Sequence, residues 1–131
     1  NIEGIIGLGI AIDYIKKIGI ENIQKKEEEL KIHALRKLKE VPRIKIYSNN
    51  NGIGIISFNL FNNSLIHGHD VAYLLSEENI CVRAGFLCAQ PLIEKVLNVN
   101  GVVRASLHYY NEKEDINKLV SGLKKIVKKF S

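Results

Sequence analysis

The C-terminal end of this sequence constrains its fold more than any other part. Ile116, Leu119, Val120, Leu123, Ile126, Val127 and Phe130 recur at steps of three and four, so on a helix they make one apolar stripe. A helix with one such stripe has to lay it against another apolar face. The segment just before supplies one. From Val103 to Tyr109 the residues alternate, with Val103, Ala105 and Leu107 on one side and Arg104, Ser106 and His108 on the other. That is the period of a half-buried strand.

The rest of the chain repeats this grammar. A helix is expected from about Glu3 to Lys17, with Ile5, Leu8, Ile12 and Ile15 on one side. A second runs from about Glu21 to Glu40, its apolar face made by Ile23, Leu30, Ala34, Leu38 and Val41, and Pro42 ends it. Ile44–Tyr47 and Ile56–Leu60 read as strands, separated by the turn cluster Asn49-Asn50-Asn51-Gly52. Asn62-Asn63-Ser64 reads as a loop, and about Asp70 to Glu78 as a helix. A short strand over Ile80–Ala84 stops at Gly85, and Pro91 opens a short helix. Neither a repeat nor a long linker divides the chain. The expected fold is α+β: a single domain over residues 1–131, with helices packed on one face of a small, mostly antiparallel sheet.

Composition narrows the function classes. The net charge of +5 is concentrated in Lys124, Lys125, Lys128 and Lys129, which suit the negative end of a helix dipole. With no aromatics among them and no recognition motif, nucleic-acid binding is not expected. No apolar run is long enough to span a bilayer and no export signal is visible, so no membrane role is expected. Cys81 and Cys88 are the only cysteines, too few for a disulfide-stapled secreted fold; the expected setting is reducing and cytoplasmic. There is no methionine, so the chain reads as a segment of something longer.

Strand parity brings candidate chemistry together. Arg83 and Arg104 fall on the sheet face turned away from the expected helices, a face either solvated or docked onto another domain. A guanidinium fork there can hold a carboxylate by two parallel hydrogen bonds, although surface arginines also serve as plain salt-bridge partners. Cys88 follows in a glycine-led loop just ahead of a helix start, where unpaired N–H groups favour a thiolate. A nucleophilic thiol and a small buried hydrophobe are both compatible with that spacing. Cys81, mid-strand, reads as structural. His67-Gly68-His69-Asp70 looks like a metal patch but lacks the paired short spacing of a zinc site, so a helix cap formed by Asp70 or a neighbour is expected and no metal. Gly4-Ile5-Ile6-Gly7-Leu8-Gly9 has neither the order nor the preceding strand of a nucleotide loop, and its glycines are expected to allow close packing of the first helix. His33 and His108 have no evident triad partners.

Taken in order, Ile80-Cys81-Val82-Arg83-Ala84-Gly85, Cys88-Ala89-Gln90-Pro91, Val103-Arg104-Ala105-Ser106 and Tyr110-Asn111 resemble the C-terminal region of Suf-type, or group II, cysteine desulfurases, which have the class-V aminotransferase fold. The glycine-rich first helix, Ser57-Phe58-Asn59 and His67-Gly68-His69-Asp70-Val71 extend the likeness over nearly the whole chain. The resemblance implies the small C-terminal domain of a fold-type I pyridoxal-phosphate enzyme. Such an enzyme converts L-cysteine to L-alanine, and Cys88 becomes a persulfide that an acceptor protein receives for iron–sulfur cluster assembly. It puts substrate-carboxylate binding on Arg104, with Arg83 bordering the site. It implies a homodimeric parent whose large N-terminal domain carries the cofactor lysine. Neither that lysine motif nor the phosphate ligands are found here, so this chain alone is expected to bind no cofactor and turn over no substrate. The family has His-His before the cysteine where this chain has Phe86-Leu87. That difference leaves a selenocysteine lyase, or another enzyme of the same fold, as an alternative. A non-catalytic interaction domain on the same scaffold is another.

Overall fold

A computed structural model describes residues 1–130. Helix α1 (Ile2–Ile18) begins where the Asn1 side chain accepts the Gly4 N–H at 2.8 Å. It ends at Gly19, whose φ of +88° suits a residue without Cβ, and α2 (Ile20–Leu38) follows at once. Strand β1 (Ile44–Ile46) pairs antiparallel with β2 (Ile55–Asn62). A turn at Asn63 (φ +57°) leads into β3 (Ser64–Leu65), so the expected Asn-Asn-Ser loop is a tight hairpin. Then come α3 (Gly68–Ser76), β4 (Arg83–Gly85), α4 (Gln90–Lys95), β5 (Val102–Ser106) and α5 (Lys113–Lys129).

The main path of the sheet is β1-β2-β5-β4, antiparallel at every pairing. Ile56, Phe58 and Leu60 of β2 alternate with Val103 and Ala105 of β5 onto one face. That face meets Leu30, Ala34 and Leu38 of α2, Val71 and Leu75 of α3, and the α5 stripe. Phe58, Leu60, Val103 and Leu123 have no measurable exposure, so this interface is the core and truncating Phe58 to alanine would cost about 3–5 kcal/mol. The fold is therefore the expected α+β arrangement.

Three local expectations change. The Ile80 N–H donates to the Leu75 carbonyl at 3.0 Å, closing the end of α3, so residues 80–82 leave that helix as coil and the strand begins only at Arg83. Cys81 is consequently exposed in coil rather than mid-strand. Strand β5 stops at Ser106 because the His108 N–H is taken by Asn111 Oδ1 at 2.8 Å, bending the chain into α5. Finally, α1 has no buried residue. Ile2, Ile5, Leu8, Ile10 and Tyr14 are each more than 60% exposed, and a Cβ added at Gly7 or Gly9 would meet no atom within 4 Å. Of the glycines expected to permit close packing, Gly7 and Gly9 have no packing partner among the described residues, and Gly4 abuts the capping Asn1 side chain of its own helix.

Candidate functional site

The sheet face opposite the core is built by the other parity. Arg83 of β4 and Arg104 of β5 are directly opposite one another, and Ser57 of β2 lies opposite Arg104 on its other side. Two like charges facing each other across adjacent strands oppose pairing unless something neutralises them. Arg83 is exposed, whereas Arg104 is half-buried and its Nε is enclosed without a protein hydrogen-bond partner. A buried N–H of this kind stabilises a structure only once an acceptor reaches it.

This face is not bare, as strand parity alone suggested. The connection from β4 to β5 carries α4 and folds back across one corner. Ile93 and Val102 are 3% and 2% exposed, yet both stand outside the main core cluster. Gly85 (φ +110°) and Gly101 (φ +100°) let the two ends of the connection meet, since a Cβ at Gly101 would lie 3.4 Å from the Gly85 Cα. Asn59, 1% exposed on β2, donates its amide to the Gly101 carbonyl at 3.0 Å and to Tyr47 Oη at 3.3 Å, pinning the connection to the sheet.

Out of Gly85 the chain makes a turn at residues 86–89, closed by an Ala89 N–H to Phe86 carbonyl bond of 2.8 Å. Its two central residues, Leu87 (φ +53°) and Cys88 (φ +61°), are both left-handed. For residues with a Cβ that conformation costs about 1–2 kcal/mol each, and such strain gathers at functional positions. The turn presents Cys88 as an exposed free thiol two residues before α4, with Pro91 in the first turn of that helix. The structure thus sets Arg83 and Arg104 in one row, with Cys88 leaving the end of the strand that carries Arg83.

The histidine motif has a structural task. His67 Nδ1 accepts the His69 N–H at 3.3 Å at the start of α3, the capping expected of Asp70 or a neighbour. The two imidazoles stack with centroids 5.3 Å apart. Among the described residues no group of three or more His, Cys, Asp or Glu is gathered so as to hold a metal ion. His108 Nδ1 pairs with Glu27, and at the other end of the sheet Lys45 lies 5.3 Å over the Tyr47 ring. Lys124 and Lys125 form ion pairs with Glu40 and Glu78. The Glu40 carboxyl is held below the ordinary range by hydrogen bonds from Lys37 and Lys124. No helix among the described residues is long and apolar enough to cross a membrane.

Residue-by-residue reading missed Asn59 and Tyr47. The visible signal for Asn59 was a carboxamide between Phe58 and Leu60, an ill-suited residue for a central strand unless it is hydrogen-bonded.

A family model described as aminotransferase class V matches residues 1–119. A probable cysteine desulfurase from Halalkalibacterium halodurans is 45% identical over 95% of this chain, and a cysteine desulfurase from Wigglesworthia glossinidia brevipalpis is 41% identical over 98% of it. This chain spans 30% of the length of each. Among solved structures, the apo form of a cysteine desulfurase from Thermococcus onnurineus superposes with a TM-score of 0.89 at 37% identity, over 98% of this chain and 32% of that one. The S-sulfonic acid form of cysteine desulfurase CsdA from Escherichia coli gives 0.87 at 29% identity, over 98% and 31%.

Proposed function

The chain belongs to the class-V aminotransferase family, and we propose that it is the C-terminal small domain of a Suf-type cysteine desulfurase, which takes sulfur from L-cysteine and leaves L-alanine. The observation carrying this reading is the row of Arg83 and Arg104 on one sheet face, with the exposed Cys88 thiol on the strained turn that leaves the same strand. The α-carboxylate of an amino acid neutralises the two opposed guanidinium groups by accepting from their terminal nitrogens. Arg104, half-buried, grips it; Arg83, exposed, borders it and draws the anion in. With the acid group fixed, the side-chain sulfur is held within reach of the turn. The Cys88 thiolate forms the new S–S bond as the substrate's Cβ–S bond breaks; the bonding pair stays with the carbon skeleton, which takes up a proton on its way to L-alanine. Cys88 then carries the sulfane sulfur to an acceptor protein, in this reading for iron–sulfur cluster assembly.

Pyridoxal phosphate, the cofactor of this family, does not fit the residues present. The only lysine on the described strands is Lys45, exposed on an edge strand with its ammonium over Tyr47, so this face offers no enclosed amine to bind the cofactor carbonyl. We assign the cofactor to a large N-terminal domain of the parent. The same domain accounts for the unburied α1, because a helix apolar on every side belongs inside a larger interface. The parent is read as a homodimer.

The test is to incubate the parent with L-cysteine and assay L-alanine and protein-bound persulfide. Cys88→Ala is expected to abolish the persulfide and leave the cofactor absorbance band in place. Undiminished sulfur release would reject the assignment, and faster turnover of L-selenocysteine than of L-cysteine would move the substrate to selenium.

A further inference from the structure

Asn59 carries a second orphan. Its Oδ1 is enclosed without a hydrogen-bond partner, on a residue 1% exposed. The orientation of the amide is not arbitrary. The Gly101 carbonyl, 3.0 Å away, can only accept, so the NH2 end must face it and Oδ1 must point elsewhere. The Tyr47 hydroxyl, 3.3 Å from the same nitrogen, holds the amide from the other side. Asn59 is two residues along β2 from Ser57, the residue opposite Arg104, and shares its parity. Asn59 and Arg104 are therefore diagonal neighbours on one sheet face, a separation of about 7–8 Å that a long side chain spans. One carries an unpartnered acceptor and the other an unpartnered donor, Nε.

We propose that Asn59 is a positioning residue for Arg104: when a carboxylate docks, Nε donates to Asn59 Oδ1, aiming the terminal nitrogens of the guanidinium at the ligand. This rests on the reading of Arg104 as the carboxylate-binding residue. The swing satisfies two buried polar atoms with one bond, and the amide is already anchored through its nitrogen, so only Arg104 is ordered. Because the Gly101 carbonyl holds the same amide, the grip on the carboxylate is tied to the connection that carries Cys88. Ordering the arginine and setting the start of the thiol loop become one event.

The experiment uses the full-length parent with its cofactor, comparing wild type with Arg104→Ala, Asn59→Leu, Asn59→Asp and the double variant Asn59→Leu/Arg104→Ala. Melting temperature is recorded for each, along with the shift produced by L-alanine, a carboxylate ligand without sulfur. Removing a hydrogen bond to a charged group is expected to raise KM for L-cysteine about tenfold in Asn59→Leu, with kcat within about twofold and the L-alanine shift reduced. Asn59→Asp keeps an acceptor for Nε but loses the donor to the Gly101 carbonyl, and is expected to recover only part of the loss. In the double variant KM is expected to match Arg104→Ala alone. Unchanged KM in Asn59→Leu, or effects of the two substitutions that simply multiply, would overturn the proposal. If Asn59→Leu does not fold, Tyr47→Phe decides: loss of one amide anchor is expected to raise KM about threefold, the share of a neutral hydrogen bond, and no rise overturns it. If Arg104→Ala itself leaves KM unchanged, the carboxylate reading fails first, and that outcome is separate from the failure of Asn59.

Discussion

Replacing Arg83 by glutamine should stabilise the fold while weakening the function, and the size of the gain follows from the register. Arg83 and Arg104 are directly opposite on neighbouring strands. Side chains so placed start about 5 Å apart, and with charged heads about 6 Å apart the repulsion is about 0.7 kcal/mol in a water-like dielectric and about 2.8 kcal/mol at an effective value of 20. Arg83 is exposed, so the lower figure applies. Glutamine keeps most of the stem and removes the charge. At about 2.1 cal/mol/K per residue, 131 residues give an unfolding entropy of about 0.28 kcal/mol/K, so the variant should melt about 2–3 °C higher at low salt. The assay is thermal unfolding of the chain followed by circular dichroism at about 20 mM and about 1 M salt, where the screening length falls to about 3 Å and the difference should vanish. In the parent the same variant should raise KM for L-cysteine by about an order of magnitude. A lower melting temperature, or an equal gain at both salt concentrations, would show that the two guanidinium groups do not oppose each other.

Two further outcomes are expected. Cys88 is exposed and left-handed (φ +61°), so Cys88→Gly and Cys88→Ala both lose the thiol but should differ in stability. Glycine should be the more stable by about 0.5–1 kcal/mol in urea unfolding, the left-handed penalty less glycine's extra chain entropy, and the reverse order would remove the case for strain. At the start of α5, Asp115 Oδ2 accepts from Asn111 Nδ2 and the Glu112 N–H, each at 3.1 Å, and its carboxyl is held below the ordinary range, chiefly by the Asn111 bond. A depressed folded value means the stabilisation is complete above the unfolded carboxylate value of about 3.9 and is lost as pH falls through the folded one. Asp115→Asn should therefore flatten the acid limb of the stability curve below about pH 4, and identical limbs would count against the contact.

The α+β class, the α5 stripe and the shared face of Arg83 and Arg104 were legible in the sequence, because helical and strand periods are local properties of the chain. A period of two decides which side of the pleat a residue takes, wherever the strand ends. The exposure of α1 was not legible: Ile5, Leu8, Ile12 and Ile15 have the spacing of a buried face, and whether anything covers that face depends on what lies opposite. Strand ends were equally hidden, since β4 waits until Arg83 because Ile80 is drawn back to the Leu75 carbonyl, and β5 stops where Asn111 captures the His108 N–H. The exposed left-handed turn at Cys88 and the placing of Asn59 beside Gly101 needed the tertiary fold as well. The Asn59 contact joins residues 42 positions apart, and the exposure of Cys88 depends on what packs around its locally closed turn; the free energy of such packing is set only once the sheet has assembled.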